Sequence, residues 1–140
     1  MRQSATHHIA LNGNILVTEI TGTIDKVMYR KMFKEVREQI TPLCGAPWGN
    51  IILAEKWELS ALEIDDTLIE IENWARAHNR SHLAFVVGEE LAQIKRFTLE
   101  KYLGNNLKKD TVAIFSSTSL ALAWLSQSGF SLTSGNGHLG

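Results

Sequence analysis

The run Leu83-Ala84-Phe85-Val86-Val87, closed by Gly88, is five apolar residues without polar alternation, and Ile51-Ile52-Leu53-Ala54 is a second run of the same kind. Short continuous apolar runs of this length belong to strands covered on both faces, as in the interior of a parallel sheet. Thr111-Val112-Ala113-Ile114-Phe115 predicts a further strand. Between these runs the period becomes helical. Met28, Met32, Val36 and Ile40 fall four apart, after Thr23 or Asp25 as the cap and before Pro42 as the stop. Leu62, Leu68, Ile71 and Ala75 make a second inner stripe, with Trp74 near its end and Asp65 and Asp66 early, where negative charge suits the helix dipole. Glu89 to Leu103 reads as a third helix, and Leu120 to Ser128, capped by Ser117 and stopped by Gly129, as a fourth.

Upstream of the first helix, His7–Leu11 and Ile15–Ile20 flank Asn12-Gly13, a pair that tolerates the positive φ of a tight hairpin turn. Cys44 to Gly49, with two Gly and one Pro, predicts a loop, and Glu55 to Leu59 a second one. The resulting order, ββαβαβαβα, argues for an α/β fold: a central mixed, mostly parallel sheet with about four helices packed against it. At 140 residues the chain is long enough for one domain that buries about two-thirds of its unfolded surface. Residues 1–132 are read as that domain, and 133–140, rich in Gly and Ser, as a mobile tail.

Particular residues on this order resemble the STAS-type fold, in its SpoIIAA-like branch of small bacterial proteins. Ile20-Thr21-Gly22-Thr23-Ile24-Asp25 with Tyr29 looks like that family's strand–Gly–helix junction. Trp57-Glu58-Leu59-Ser60-Ala61 looks like its segment before the second helix. Ala84-Phe85-Val86-Val87-Gly88 resembles its fourth strand. Ala113-Ile114-Phe115 followed by Ala121-Leu122-Ala123-Trp124-Leu125 resembles its closing strand and helix. The resemblance implies a fold more than an activity. Regulators of this type carry a phosphorylatable Ser in an Asp-Ser-Ser-Gly-like turn, whereas this chain has Glu55 to Leu62 there, with Ser60 as the nearest candidate for modification. Relatives of the branch also look like lipid-transfer proteins of the CRAL-TRIO kind, which implies an apolar ligand as the alternative.

Composition narrows the function classes. Fourteen basic and fifteen acidic residues leave a formal net charge of −1, so no general electrostatic attraction to nucleic acid or anionic membrane is expected. The single cysteine, Cys44, excludes an intramolecular disulfide and a multi-cysteine metal site. No stretch approaches the roughly 18 apolar residues of a membrane span, and the polar opening from Met1 to His8 lacks a signal-peptide core. The expected location is the cytoplasm.

Candidate chemistry is sparse. His7 and His8 are strand neighbours and point to opposite faces. His78 and His82 are four apart, but the pattern turns from helix to strand between them, so no metal site is expected. Gly135-Asn136-Gly137-His138-Leu139-Gly140 matches a dinucleotide fingerprint without the strand and helix the motif needs. Cys44 follows a helix rather than opening one, so nothing in its surroundings activates it. Ser116, Ser117 and Ser119 read as turn and cap residues, and Asp65 and Asp66 diverge by about 100° on their helix. No cofactor and no catalytic group are therefore assigned.

The tryptophans carry more. Trp124 and Trp74 fall on inner helix stripes, whereas Trp48 and Trp57 fall in loops at either end of the third strand. In open parallel sheets ligands sit beyond the carboxyl ends of the strands, the side on which Trp57 lies. The expectation is a shallow site bordered by Trp57, Ser60, Gly88 and Ser117. It would serve a non-enzymatic binding or regulatory domain whose partner is another protein or a small apolar or anionic ligand. Loop tryptophans and apolar helix faces leave a homodimer open.

Overall fold

The computed structural model describes residues 5–58, 66–89, 93, 97, 100 and 111–133. Among them five strands form one sheet in the order β1-β2-β3-β4-β5: β1 Thr6–Asn12, β2 Ile15–Gly22, β3 Trp48–Trp57, β4 Arg80–Val86 and β5 Val112–Phe115. The β1–β2 pair is antiparallel and every other pair parallel, so the sheet is mixed and mostly parallel. Three helices are described, α1 Lys26–Ile40, α2 Asp66–Ala77 and α3 Thr118–Gln127, rather than about four. The expected helix from Glu89 to Leu103 lies largely outside the described residues, of which Gln93, Phe97 and Glu100 are helical.

The opening hairpin turns on Gly13-Asn14, one residue later than the Asn12-Gly13 pair suggests. Asn12 pairs with Ile15, and Gly13 alone takes positive φ, at 66°. A Cβ on Gly13 would stand 2.3 Å from the Ser131 carbonyl oxygen, because the segment after α3 crosses the turn here. Asn14 and Asn12 hold that segment through their Oδ1 atoms, which accept from the Ser131 and Thr133 N–H groups at 2.9 and 2.7 Å. Gly22, at φ 80°, then ends β2, and the Asp25 carboxylate caps α1 by accepting from Met28 N–H at 2.8 Å.

Parallel neighbours laid down in one direction require right-handed crossovers, which place α1 and α2 on the same face. That face is the larger core, where Leu16, Ile20, Leu83, Phe85 and Val87 of the β2 and β4 segments meet Tyr29, Met32 and Val36 of α1 and Ala75 of α2. On the opposite face α3 lays Ala121 and Leu125, with Phe130, over Ile15, Ile51, Ala84 and Val86. Gly49 lies beneath α3, where a Cβ would come within 3.1 Å of Leu125 and 3.3 Å of Phe130.

Two irregularities in register decide which side chains reach which face. In β3 the step from Leu53 to Lys56 is matched by only Glu19 to Thr21 in β2, so β3 carries one extra residue. In β4 the step from Arg80 to His82 is matched by Trp48 to Gly49, so β4 also carries one. Each extra residue reverses the alternation of inward and outward side chains beyond it. Trp57 and Arg80 are thereby turned into the α1/α2 layer.

Arg80, 6% exposed, meets Glu72 of α2, 4% exposed, in a two-pronged ion pair with one N···O distance of 3.0 Å. Both charges are removed from water, so each depends on the other. Removing one partner of such a pair costs about 3–5 kcal/mol, whereas exchanging both for apolar residues costs far less. Arg80→Met is therefore expected to destabilise the fold by about 3–5 kcal/mol in urea titration, and Glu72→Met with Arg80→Met to recover most of that loss.

Candidate functional site

At the carboxyl edge of the sheet, on the α3 side, lies an open polar hollow of about 210 Å³. Glu19 and Thr21 of β2, Leu53, Glu55 and Lys56 of β3, Val86 of β4 and Thr118 of α3 line it. The extra residue in β3 lets Glu55 and Lys56 both border the hollow, while Trp57 turns to the other layer. Thr118 is fixed by the start of its helix, where Ser117 Oγ accepts from Leu120 N–H at 3.3 Å. Gly88, at φ 73°, lies next to Glu55, where a Cβ would stand 2.7 Å from Glu55 Cγ. Next to the hollow the β2–β3 margin is tied shut. Glu58 N–H donates to the Gly22 carbonyl at 2.9 Å, and Thr23 Oγ1 donates to Glu58 Oε2 at 3.1 Å.

The four residues expected to border one site are divided by this geometry. Gly88 packs against a wall of the hollow, and Ser117 precedes its Thr118 wall. Trp57 is the last residue of β3 rather than part of a loop, is 2% exposed, and belongs to the α1/α2 core. Ser60 lies outside the described residues. Trp48, also expected in a loop, begins β3, is buried, and donates its indole N–H to the His78 carbonyl at 2.9 Å.

Trp57 instead lines a cavity of about 50 Å³ between the sheet and α1/α2. Most of its wall is apolar, including Ile9, Ile20, Met32, Ile52, Ile71 and Phe85, but Thr18, Asn50 and the Glu72–Arg80 pair also face it. Asn50 is oriented by donating its amide to the Leu16 carbonyl at 2.8 Å and to Thr18 Oγ1 at 3.2 Å. A cavity of this size holds a few waters or a small polar group.

The histidines are dispersed. His7 meets the Glu35 carboxylate of α1, whereas His8, across from Glu19, stands on the opposite face. His78 stacks on Trp74 at 4.2 Å between ring centroids, and Trp74 meets Phe33 edge-on at 5.4 Å. His82 lies across the sheet against Trp124 and Phe130, at 5.1 and 5.4 Å. The i, i+4 histidines thus belong to different layers, and among the described residues no three His, Cys, Asp or Glu side chains gather into a metal-binding group. Cys44 is exposed and free, at φ 52°. No helix among the described residues is long and apolar enough to cross a membrane.

Neither a protein-family model nor a curated protein matches the chain.

Two measurements check this geometry. Gly88→Ala forces a side chain into left-handed backbone and against Glu55, so it should cost at least about 1 kcal/mol in chemical denaturation. Adding Glu55→Ala should relieve the contact and leave the backbone strain. His82 titrates below its ordinary value of 6.5 because burial disfavours the imidazolium. The unfolded chain therefore binds the proton first, and this contribution to stability is complete above pH 6.5 and lost as pH falls through the folded value. The stability difference between the natural chain and His82→Phe should accordingly shrink or reverse on acidification across that window.

Proposed function

We propose that this chain is a non-enzymatic binding domain of the STAS-like type that engages a protein partner across the carboxyl edge of its sheet. The observation that carries the reading is the polar hollow at the carboxyl edge, together with exposed apolar side chains in the first turns of α1 and α3. Val27, in the first turn of α1, is 76% exposed, and Leu120, in the first turn of α3, is 55% exposed. Apolar anchors beside a polar, hydrogen-bonding recess suit a macromolecular surface. At about 210 Å³ the hollow is smaller than the roughly 300–1,000 Å³ of a drug-sized ligand site, and it matches an inserted side chain. Glu19, Glu55 and Lys56 are all exposed, so they offer charge and hydrogen bonds without the water-excluded chamber that acid–base chemistry uses.

The antiparallel opening pair, the parallel succession after it and the Gly22-to-Asp25 junction support the STAS-like type. An apolar-ligand carrier is the second reading, favoured by the largely apolar wall of the α1/α2 cavity. It ranks second because about 50 Å³ has no room for an acyl chain.

A photo-crosslinking residue at Leu120 tests the proposal in the native host, with Arg30 on the exposed side of α1 as the control position. The expected result is a discrete protein adduct from Leu120 alone. Thr118→Arg, which fills the hollow, should cut its yield at least about fivefold, since blocking an interface pocket costs over about 1 kcal/mol. Equal labelling from both positions, or no response to Thr118→Arg, overturns the reading. A lipid retained in native mass spectrometry together with no adduct favours the carrier.

A further inference from the structure

We infer that the outer edge of β1 is a pairing edge for a second copy of this chain, joined antiparallel about Ile9. The hairpin fixes which backbone groups are available. A two-residue turn makes Asn12 and Ile15 the closing hydrogen-bonded pair, and alternation then gives Ala10, His8 and Thr6 to β2. The N–H and C=O groups of His7, Ile9 and Leu11 point away from the sheet. Leu11 confirms this phase, since its N–H donates to Gln39 Oε1 of α1 at 3.1 Å rather than to β2. Among the described residues no strand pairs with that edge.

Natural edges are blunted by charged side chains, proline, bulges or shortness, or are covered by a helix or loop. β1 lacks the first four: it is seven residues, Thr6 to Asn12, without Lys, Arg, Asp, Glu or Pro, in unbroken register with β2, and α1 covers it only on one face. The opposite edge, β5, has only four residues. Gln39 on the Leu11 N–H is the single device guarding β1 among the described residues.

A second copy fits because the strand is self-complementary. The range from Thr6 to Asn12 is symmetric about Ile9, so full overlap sets Ile9 opposite Ile9 and His7 opposite Leu11, all as hydrogen-bonded pairs. No charged strand residues meet. On α1, Glu35 borders His7 and Gln39 borders Leu11. Across the axis, therefore, each Glu35 comes beside Gln39 of the other copy and not beside its own equivalent. In the pair the Leu11 N–H passes from Gln39 to the His7 carbonyl of the second copy, which releases the Gln39 amide to donate to Glu35.

Sedimentation equilibrium on the full chain between about 1 and 100 µM, the regime of modest interfaces, reads the oligomer, and amide hydrogen exchange locates it. Expected is a species of twice 15.7 kDa, with the His7 and Ile9 amides protected in the dimer and fast in dilute monomer. His8→Lys with Ala10→Lys places like charges directly opposite on side chains outside the larger core, and should raise the dimer dissociation constant at least about tenfold. Ile9→Pro removes an outward N–H while leaving the β2 ladder intact and should abolish pairing. Should Ile9→Pro fail to fold, the double lysine variant decides. A monomer throughout, a dimer whose His7 and Ile9 amides still exchange freely, or a dimer indifferent to the two lysines overturns the inference.

Discussion

One extra residue in β3 sets what each face of the molecule can do. Strand side chains alternate strictly, so the residues in step with Ile51 and Leu53 would otherwise continue toward α3, and Trp57 would project into the carboxyl-edge hollow. The irregularity after Leu53 sends the indole into the α1/α2 layer instead. A ring of that size contributes a large apolar area to the core it enters. The vacated side is left to Glu55 and Lys56, and the recess becomes polar. The apolar core and the polar recess are two consequences of the same local insertion.

The second insertion, in β4, works at the amino end of the same layer. It brings Arg80 under α2, where Glu72 is the answering charge. A buried ion pair adds little net stability compared with well-packed apolar residues, because desolvation offsets the attraction. Its geometry is restrictive, however. Two-pronged contact fixes the rotation of α2 about its axis and its height above the sheet, and so fixes Ile71 and Ala75 against the core. Asn50 has a similar role one strand away, joining the Leu16 carbonyl and Thr18 within the same buried wall.

The α/β class, the mostly parallel sheet and the three described helices were legible because they rest on periodicity. Ile51–Ala54 and Leu83–Val87 are too apolar for anything but central strands, and Asp25 and Ser117 cap the helices they precede. The margins were less legible. Trp48 and Gly49 read as loop because Gly and Pro crowd that segment, yet Gly49 is in β3, where a Cβ would crowd the side chains of Leu125 and Phe130. The proposed site was legible only as a place, the carboxyl edge. Gly88 and Ser117 are only neighbours of residues that line the hollow, Gly88 of Glu55 and Ser117 of Thr118. Trp57 was misplaced because a single inserted residue carries no compositional mark, and period-two reasoning cannot detect a change of phase. The Glu72–Arg80 pair escaped for the same reason, since Arg80 shares its parity with His82 and Ala84 on the other face.

Among the described residues α1 and α2 below and α3 above close the centre of the sheet, and the two margins are geometrically independent. The hollow belongs to β2, β3, β4 and α3, whereas the pairing edge consists of outward groups of β1. Antiparallel pairing about Ile9 places its two-fold axis perpendicular to the sheet, so the α1 layers of both copies lie on one side. It also reverses β2 against its counterpart, and the two carboxyl edges then face opposite directions. A flat surface cannot reach both recesses at once, so a dimer of this kind gains no avidity from a single rigid target. On the proposed binding reading it would connect two separate partners, held at oppositely directed carboxyl edges of a continuous ten-stranded sheet, twice the five described strands of one copy.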